Sequence, residues 1–199
     1  MNILSLQNSI SGDASVTRAL SAAYVARLTE RHPGATLVEH DLVAEAFPHL
    51  TDGMVPVVLG LAHAPSPSAA LGERMIAELE RADVIVFGAP FYNFSMPSTL
   101  KAWFDYVMRA GRTFRYVDGA PQGLLASGKK AVVFVASGGV YTEGPAAQVD
   151  FLAPHLRWLL QFIGITDVTF IRAEGLAYGA EASEIATRAA REKALALAG

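Results

Sequence analysis

The chain has 199 residues, no cysteine, 52% hydrophobic residues and a formal net charge of −3. The absence of cysteine removes disulfides, thiolate nucleophiles and thiolate-held metals or clusters together, and the weakly acidic balance offers no basic footprint for nucleic acid. No apolar run approaches the roughly 20 residues of a membrane span, and Met1-Asn2-Ile3-Leu4-Ser5-Leu6 lacks the basic stretch of a signal peptide, so a cytoplasmic chain with a single domain over residues 1–199 is expected.

Asn2 to Leu6 is an apolar run bounded by polar turn residues and reads as the first strand. Val16, Leu20, Ala23, Tyr24 and Leu28 recur at helical spacing, so a helix is expected from Ser15 to about Arg31, stopped by His32-Pro33-Gly34. Ala35 to Asp41 is the second strand. Leu42 to Ser68 carries four prolines and little periodicity, and reads as an irregular surface excursion. A helix over Ala69 to Arg81 leads into a strand from Asp83 to Ala89, which ends where Gly88 and Pro90 force a turn. A third helix spans Ser98 to Arg109. Thr113 to Val117 with Asp118-Gly119 forms a strand entering a turn, outside the main sheet. Then come a strand over Lys130 to Ala136, a helix over Pro145 to Ile163, a strand over Thr166 to Arg172 and a helix over Ala180 to Ala198. Alternating β and α elements specify a doubly wound α/β fold, with a five-stranded parallel sheet in the order 2-1-3-4-5 and helices on both faces.

In such sheets ligands bind at the carboxyl ends of the strands. Ser9, Ser15 and Thr17, with the backbone of Val16, gather at the start of the first helix. Neutral hydroxyls beside unpaired helix N–H groups suit an anion. Plain N-capping uses the same residue types, but one of them would suffice. After the Val84–Gly88 run, Phe91-Tyr92-Asn93-Phe94 combines flat apolar rings with an amide, a pairing suited to a flat, hydrogen-bonding heterocycle. A packed strand–loop–helix corner is the alternative. Arg18, in the first turn of the helix, opposes the helix dipole and reads as solvated surface charge.

Position for position, Val84 to Pro97 resembles the flavin-facing loop of the FMN-dependent NADH-azoreductases, which are flavodoxin-like quinone reductases. Further motifs follow in the family's order. They are Leu6 to Ile10 with Ser15-Val16-Thr17, Lys101 to Asp105 with Arg109 to Tyr116, Ser137-Gly138-Gly139, and Phe162 to Ile165 with Ala173-Glu174-Gly175. The resemblance implies a flavodoxin-like fold, non-covalent FMN and NADH as co-substrate, with NADPH left open. It implies ping-pong hydride transfer to quinones, and reductive cleavage of aromatic azo compounds. The opposing class is a flavodoxin-type electron carrier, which usually presents a strongly acidic surface, and −3 is weak for that.

The resemblance assigns the phosphate to Ser9, Ser15, Val16 and Thr17, and the ring to Phe91, Tyr92, Asn93 and Phe94 on one side and Ala136, Ser137, Gly138 and Gly139 on the other. No side chain need act as an acid or base, because the cofactor carries the chemistry. Tyr116, Tyr141 and Phe162 are the candidates for the acceptor slot. Two departures stand out: relatives carry Ser-Arg-Gly-Gly where this chain has Ala136-Ser137-Gly138-Gly139, and a histidine often found two residues later is Tyr141 here. The Val149–Ile163 helix is apolar nearly all round. With Trp103, Phe104 and Tyr106 it is expected to meet a partner, and the resemblance implies a homodimer with the flavin pockets at its interface.

Overall fold

The computed structural model describes residues 1–51, 53–61 and 66–199. Five strands run parallel in one sheet: β1 (Asn2–Gln7), β2 (Thr36–Asp41), β3 (Val84–Pro90), β6 (Lys130–Ala136) and β7 (Asp167–Ala173). Their order across the sheet is β2-β1-β3-β6-β7. Two further strands, β4 (Phe114–Val117) and β5 (Ala120–Gly123), pair with each other as an antiparallel hairpin outside that sheet. Leaving that hairpin out of the count, the core order is the expected 2-1-3-4-5. The hairpin turns through Asp118 (φ 52°) and Gly119 (φ 78°), the two left-handed residues that a tight two-residue turn needs.

Among the described residues six α-helices accompany the sheet: α1 (Val16–Arg31), α2 (Met54–Val58), α3 (Pro67–Arg81), α4 (Ser98–Val107), α5 (Ala153–Phe162) and α6 (Ala180–Leu197). Side chains alternate along each strand, and the core splits accordingly. Ile85, Phe87, Ala89, Val133 and Val135 join the helices α3, α4 and α5, whereas Val84, Val86, Val132 and Phe134 join α1 and α6. Every residue of β3 is buried, as a strand covered on both faces requires.

Five expectations need correction. The chain does not turn at Gly88, because β3 continues to Pro90. Gly88 is glycine because a Cβ there would collide with Oε1 of Gln7, a fully buried amide bonded to Ser5 and Ser21. The 42–68 excursion is not a surface feature throughout. Leu42, Phe47, Met54 and Val57 are buried in the larger core half, and Phe47 meets Tyr106 edge-on at 5.3 Å. It also ends earlier, because Ser66 caps α3 by accepting the Ala69 N–H, with Pro67 at the first helical position. Residues 52 and 62–65 of the excursion lie outside the described residues.

The helix expected over Pro145 to Ile163 is two pieces, a 3₁₀ turn at Pro145–Val149 and α5. Pro154 lacks an N–H and crowds the carbonyl four residues back, so one helix cannot run through it. Asp150 Oδ1 instead accepts the N–H groups of Leu152 and Ala153. Lastly, Trp103, Phe104 and Tyr106 are 0–1% exposed and serve the chain's own core, with Phe87 against both Trp103 and Phe104 at 5.9 and 6.0 Å. They leave no surface for a partner. α5 does: Leu156, Leu159 and Leu160 face inward, while Trp158, and Phe151 just before the helix, are more than half exposed.

Candidate functional site

The carboxyl ends of β1, β3, β6 and β7 converge on one cleft of about 230 Å³. The loop after β1, with the start of α1, forms one wall. Ser15 is the N-cap of α1, its Oγ accepting the Arg18 N–H at 3.2 Å and lying 3.1 Å from Thr17 Oγ1. Ser9 Oγ accepts the Ser11 N–H at 3.2 Å. All three hydroxyl residues are buried, and all three line the cleft. Of the two protons on the Ser15–Thr17 pair, their mutual bond uses one, so a donor remains. The N–H groups of Val16 and Thr17 have no carbonyl within the helix to receive them. None of the described residues that line the cleft is charged.

Arg18 stays out of it, but not as solvated charge. Its guanidinium pairs with Asp41 Oδ2 at 2.7 Å, and both side chains are largely covered. Burial pushes the Asp41 carboxyl up. The Ala44 N–H, the Arg18 hydrogen bond and charge, and the Val43 N–H outweigh it, so the group lies below its ordinary value.

Two anchors tie the loop after β1 to its neighbours. Asn8, fully buried, donates to the carbonyls of Leu6 and Gly88 and accepts the Thr99 hydroxyl at the start of α4. The Tyr92 hydroxyl accepts the Ile10 N–H at 3.1 Å. Asn8 was visible in the sequence only as part of a motif, and no local pattern reveals a side chain whose partners lie 80 and 91 residues away.

The aromatic loop is a two-residue turn. Tyr92 and Ser95 exchange both backbone hydrogen bonds, at 3.1 and 3.0 Å, and the residues between them, Asn93 and Phe94, have φ of 45° and 72°. Asparagine tolerates that conformation, whereas a phenylalanine in it is strained by about 1–2 kcal/mol. Strain held at such a position points to a use for the side chain. Phe94 stands 47% exposed, with Phe91 and Tyr141 beside it at 6.4 and 6.1 Å.

The second loop follows β6. The Ala136 carbonyl accepts the Phe91 N–H at 2.9 Å, which locks the two loops together. Ser137 Oγ donates to the Gly139 carbonyl at 2.8 Å, and the carbonyls of Ser137, Gly138 and Gly139 accept the N–H groups of Leu176, Ala177 and Gly175. The glycines suit this crowded loop. A Cβ on Gly138 would meet Ala177 at 3.3 Å, and one on Gly139 would meet the Tyr141 ring at 3.3 Å.

Of the expected cofactor residues, Ser9, Ser15, Val16, Thr17, Phe91, Tyr92, Ala136, Ser137 and Gly138 line the cleft. Asn93, Phe94 and Gly139 are not among its described wall residues, though each belongs to a loop that forms it. Sequence reasoning missed Ser11, Ala14, Pro90 and Leu176 in the wall. Leu176 lies just past β7, where the carboxyl-end rule would have found it. The three slot candidates separate. Tyr141 lies over Phe91 at 4.3 Å, whereas Tyr116 and Phe162 pack with Phe114 and Trp158 between the hairpin and α5.

The residues present therefore fit a phosphorylated, flat heterocycle: buried neutral donors at a helix end, then apolar rings and exposed backbone beyond. The comparisons agree. A family model described as the flavodoxin-like fold matches residues 1–198. A protein of Ralstonia nicotianae named FMN-dependent NADH:quinone oxidoreductase is 47% identical over 196 residues, covering 96% of this chain and 93% of its own length. One of the same name from Hyphomonas neptunium is 45% identical over 192 residues, covering 96% and 92%. The crystal structure of an azoreductase from Bacillus anthracis superposes with a TM-score of 0.89 at 30% identity, covering 100% of this chain and 98% of that one.

Proposed function

The chain belongs to the flavodoxin-like family of FMN-dependent NADH:quinone oxidoreductases, and from that premise we propose that it is such an oxidoreductase and an azoreductase. The observation that carries the reading is the cleft itself, with Ser9, Ser15 and Thr17 at one end and the Phe91–Phe94 turn at the other. FMN bound there would supply the two-electron, hydride-level chemistry between NADH and a quinone or an aromatic azo compound.

The protein's part is to bind, orient and exclude water. The Ser9, Ser15 and Thr17 hydroxyls and the first N–H groups of α1 hold the phosphate without any cation. Phe91, Tyr92 and the Ala136–Gly139 loop hold the ring, with Asn93 and Phe94 on the turn above. Because Phe94 and Tyr141 present aromatic surface beside that loop, one slot serves both flat substrates, and ping-pong kinetics follow. Tyr116 and Phe162 act on the slot from outside. They sit in an exposed aromatic cluster, and we assign that cluster to the roof of a partner's slot in a homodimer. Exposure of 64% at Tyr116, 58% at Trp158 and 57% at Phe151 supports this. The whole chain, residues 1–199, is read as one domain. Among the described residues no helix is long and apolar enough to cross a membrane, and dependence on diffusible NADH favours the cytoplasm.

The test is to mix the purified protein with FMN, NADH and a benzoquinone. NADH oxidation well above the flavin-only control, with parallel double-reciprocal lines, is the expected result. A tight yellow protein without such turnover would favour the electron-carrier class instead.

A further inference from the structure

A heavily built polar arrangement outside the cleft sits where β7 leaves the sheet. Arg172, Asp150 and Glu174 are charged side chains only 14%, 10% and 12% exposed. Arg172 Nη2 donates to Asp150 Oδ2 at 2.5 Å and Nη1 to Glu174 Oε1 at 3.4 Å. The other Asp150 oxygen accepts the N–H groups that open α5. Glu174 reaches the opposite way: Oε1 accepts the Tyr141 N–H at 2.9 Å, and Oε2 accepts the Thr142 hydroxyl at 2.6 Å. One guanidinium thus holds together two covered carboxylates that would otherwise repel each other. One carboxylate fixes a helix start and the other fixes the loop whose ring lies on Phe91.

We infer that Arg172 is a positioning residue for the acceptor slot. Through Glu174 it holds the Tyr141 loop, so that the Tyr141 ring stays on Phe91 and sets the room left for a flat acceptor. The inference rests on the oxidoreductase reading and deepens it, by naming what determines acceptor size. The hold acts on the backbone at Tyr141, so the loop that carries the ring cannot move away from Phe91 without breaking a charge-assisted hydrogen bond. Once the loop is released, each acceptor must order it again on binding. A small one-ring quinone then loses more than a fused-ring one, which can fill the extra space itself.

The experiment compares FMN-loaded wild type with Arg172→Met, Arg172→Lys, Tyr141→Ala and the Arg172→Met/Tyr141→Ala double variant. The first readout needs no turnover: amide hydrogen exchange at Tyr141 should quicken about tenfold or more in Arg172→Met, the loss expected for a bond to a charged group. The second is the ratio of kcat/KM for benzoquinone over a naphthoquinone. It should fall about tenfold in Arg172→Met through KM, fall less in Arg172→Lys, and not change further when Arg172→Met is added to Tyr141→Ala. Unchanged exchange, or effects of the two substitutions that multiply, would overturn the inference. If Arg172→Met fails to fold, Arg172→Lys decides alone. Lysine keeps the charge but not the two-armed fork, and wild-type values in it would also overturn the inference. A wild type without quinone turnover would defeat the oxidoreductase reading, while the exchange result would still decide whether Arg172 holds Tyr141.

Discussion

The two ends of the cleft are built on opposite principles. The phosphate end is relaxed and preorganised: Ser15 is an ordinary N-cap, Asn8 has partners for both its amide groups, and a buried network of Gln7, Ser5 and Ser21 supports it from below. The ring end is strained and partly open, with a phenylalanine in left-handed backbone and aromatic side chains facing outward. The difference implies a division of labour. On the proposed reading, the phosphate end supplies cofactor affinity, and the ring end supplies the place where two substrates come and go.

The sharpest way to break that division is the Ser15→Ala/Thr17→Ala double variant. Losing hydrogen bonds to a charged phosphate should weaken FMN binding by about 3 kcal/mol, roughly a hundredfold, in a fluorescence titration. Next is Gly88→Ala, whose Cβ would collide with Gln7 under the phosphate loop. Overpacking of this kind costs about 1–3 kcal/mol, so a lowered Tm with weaker FMN binding is expected. Trp158→Glu probes the open end. Because Trp158 is exposed, the fold should survive, while sedimentation velocity should show the dimer weakened about tenfold or more, with acceptor turnover falling alongside. Leu159 is no substitute for it, being buried within its own subunit.

Phe94→Gly is a smaller test that should act in opposite directions on stability and activity. Glycine relieves the left-handed strain but adds freedom to the unfolded chain, for a net gain of up to about 1 kcal/mol, read by chemical denaturation. Turnover should fall. Smallest is the acid response. Asp41 and Glu73 both lie below their ordinary values in the folded chain. At Glu73, burial pushes up, and Arg109 and Arg112 bring it down by more. A depressed carboxyl contributes stability above its unfolded value of about 4 and loses it as the pH falls through the folded value. Unfolding should therefore become easier below pH 4, and in Asp41→Asn part of that acid response should be gone.

Much of this was legible in the sequence because the residues concerned act locally. A serine before an apolar-periodic run marks a helix start whatever binds there, and the fully apolar run over β3 marks a strand covered on both faces. What was not legible depends on distant partners. Trp103, Phe104 and Tyr106 look like surplus apolar surface until the folded chain brings Phe87 and Phe47 against them. The break before α5 was readable from Pro154, but its repair by Asp150 and Arg172 was not, since Arg172 is 22 residues away. The Ser137-Gly138-Gly139 loop was found for its glycines, yet the segment whose N–H groups its carbonyls accept, 175–177, comes more than 30 residues later.

The division of labour is tested most directly by titrating FMN and riboflavin, which lacks the phosphate, into wild type and the Ser15→Ala/Thr17→Ala variant. The account predicts that wild type prefers FMN strongly, that the variant loses most of that preference, and that riboflavin affinity is the same in both. An equal loss of affinity for both ligands, or a wild type that binds them alike, would contradict it.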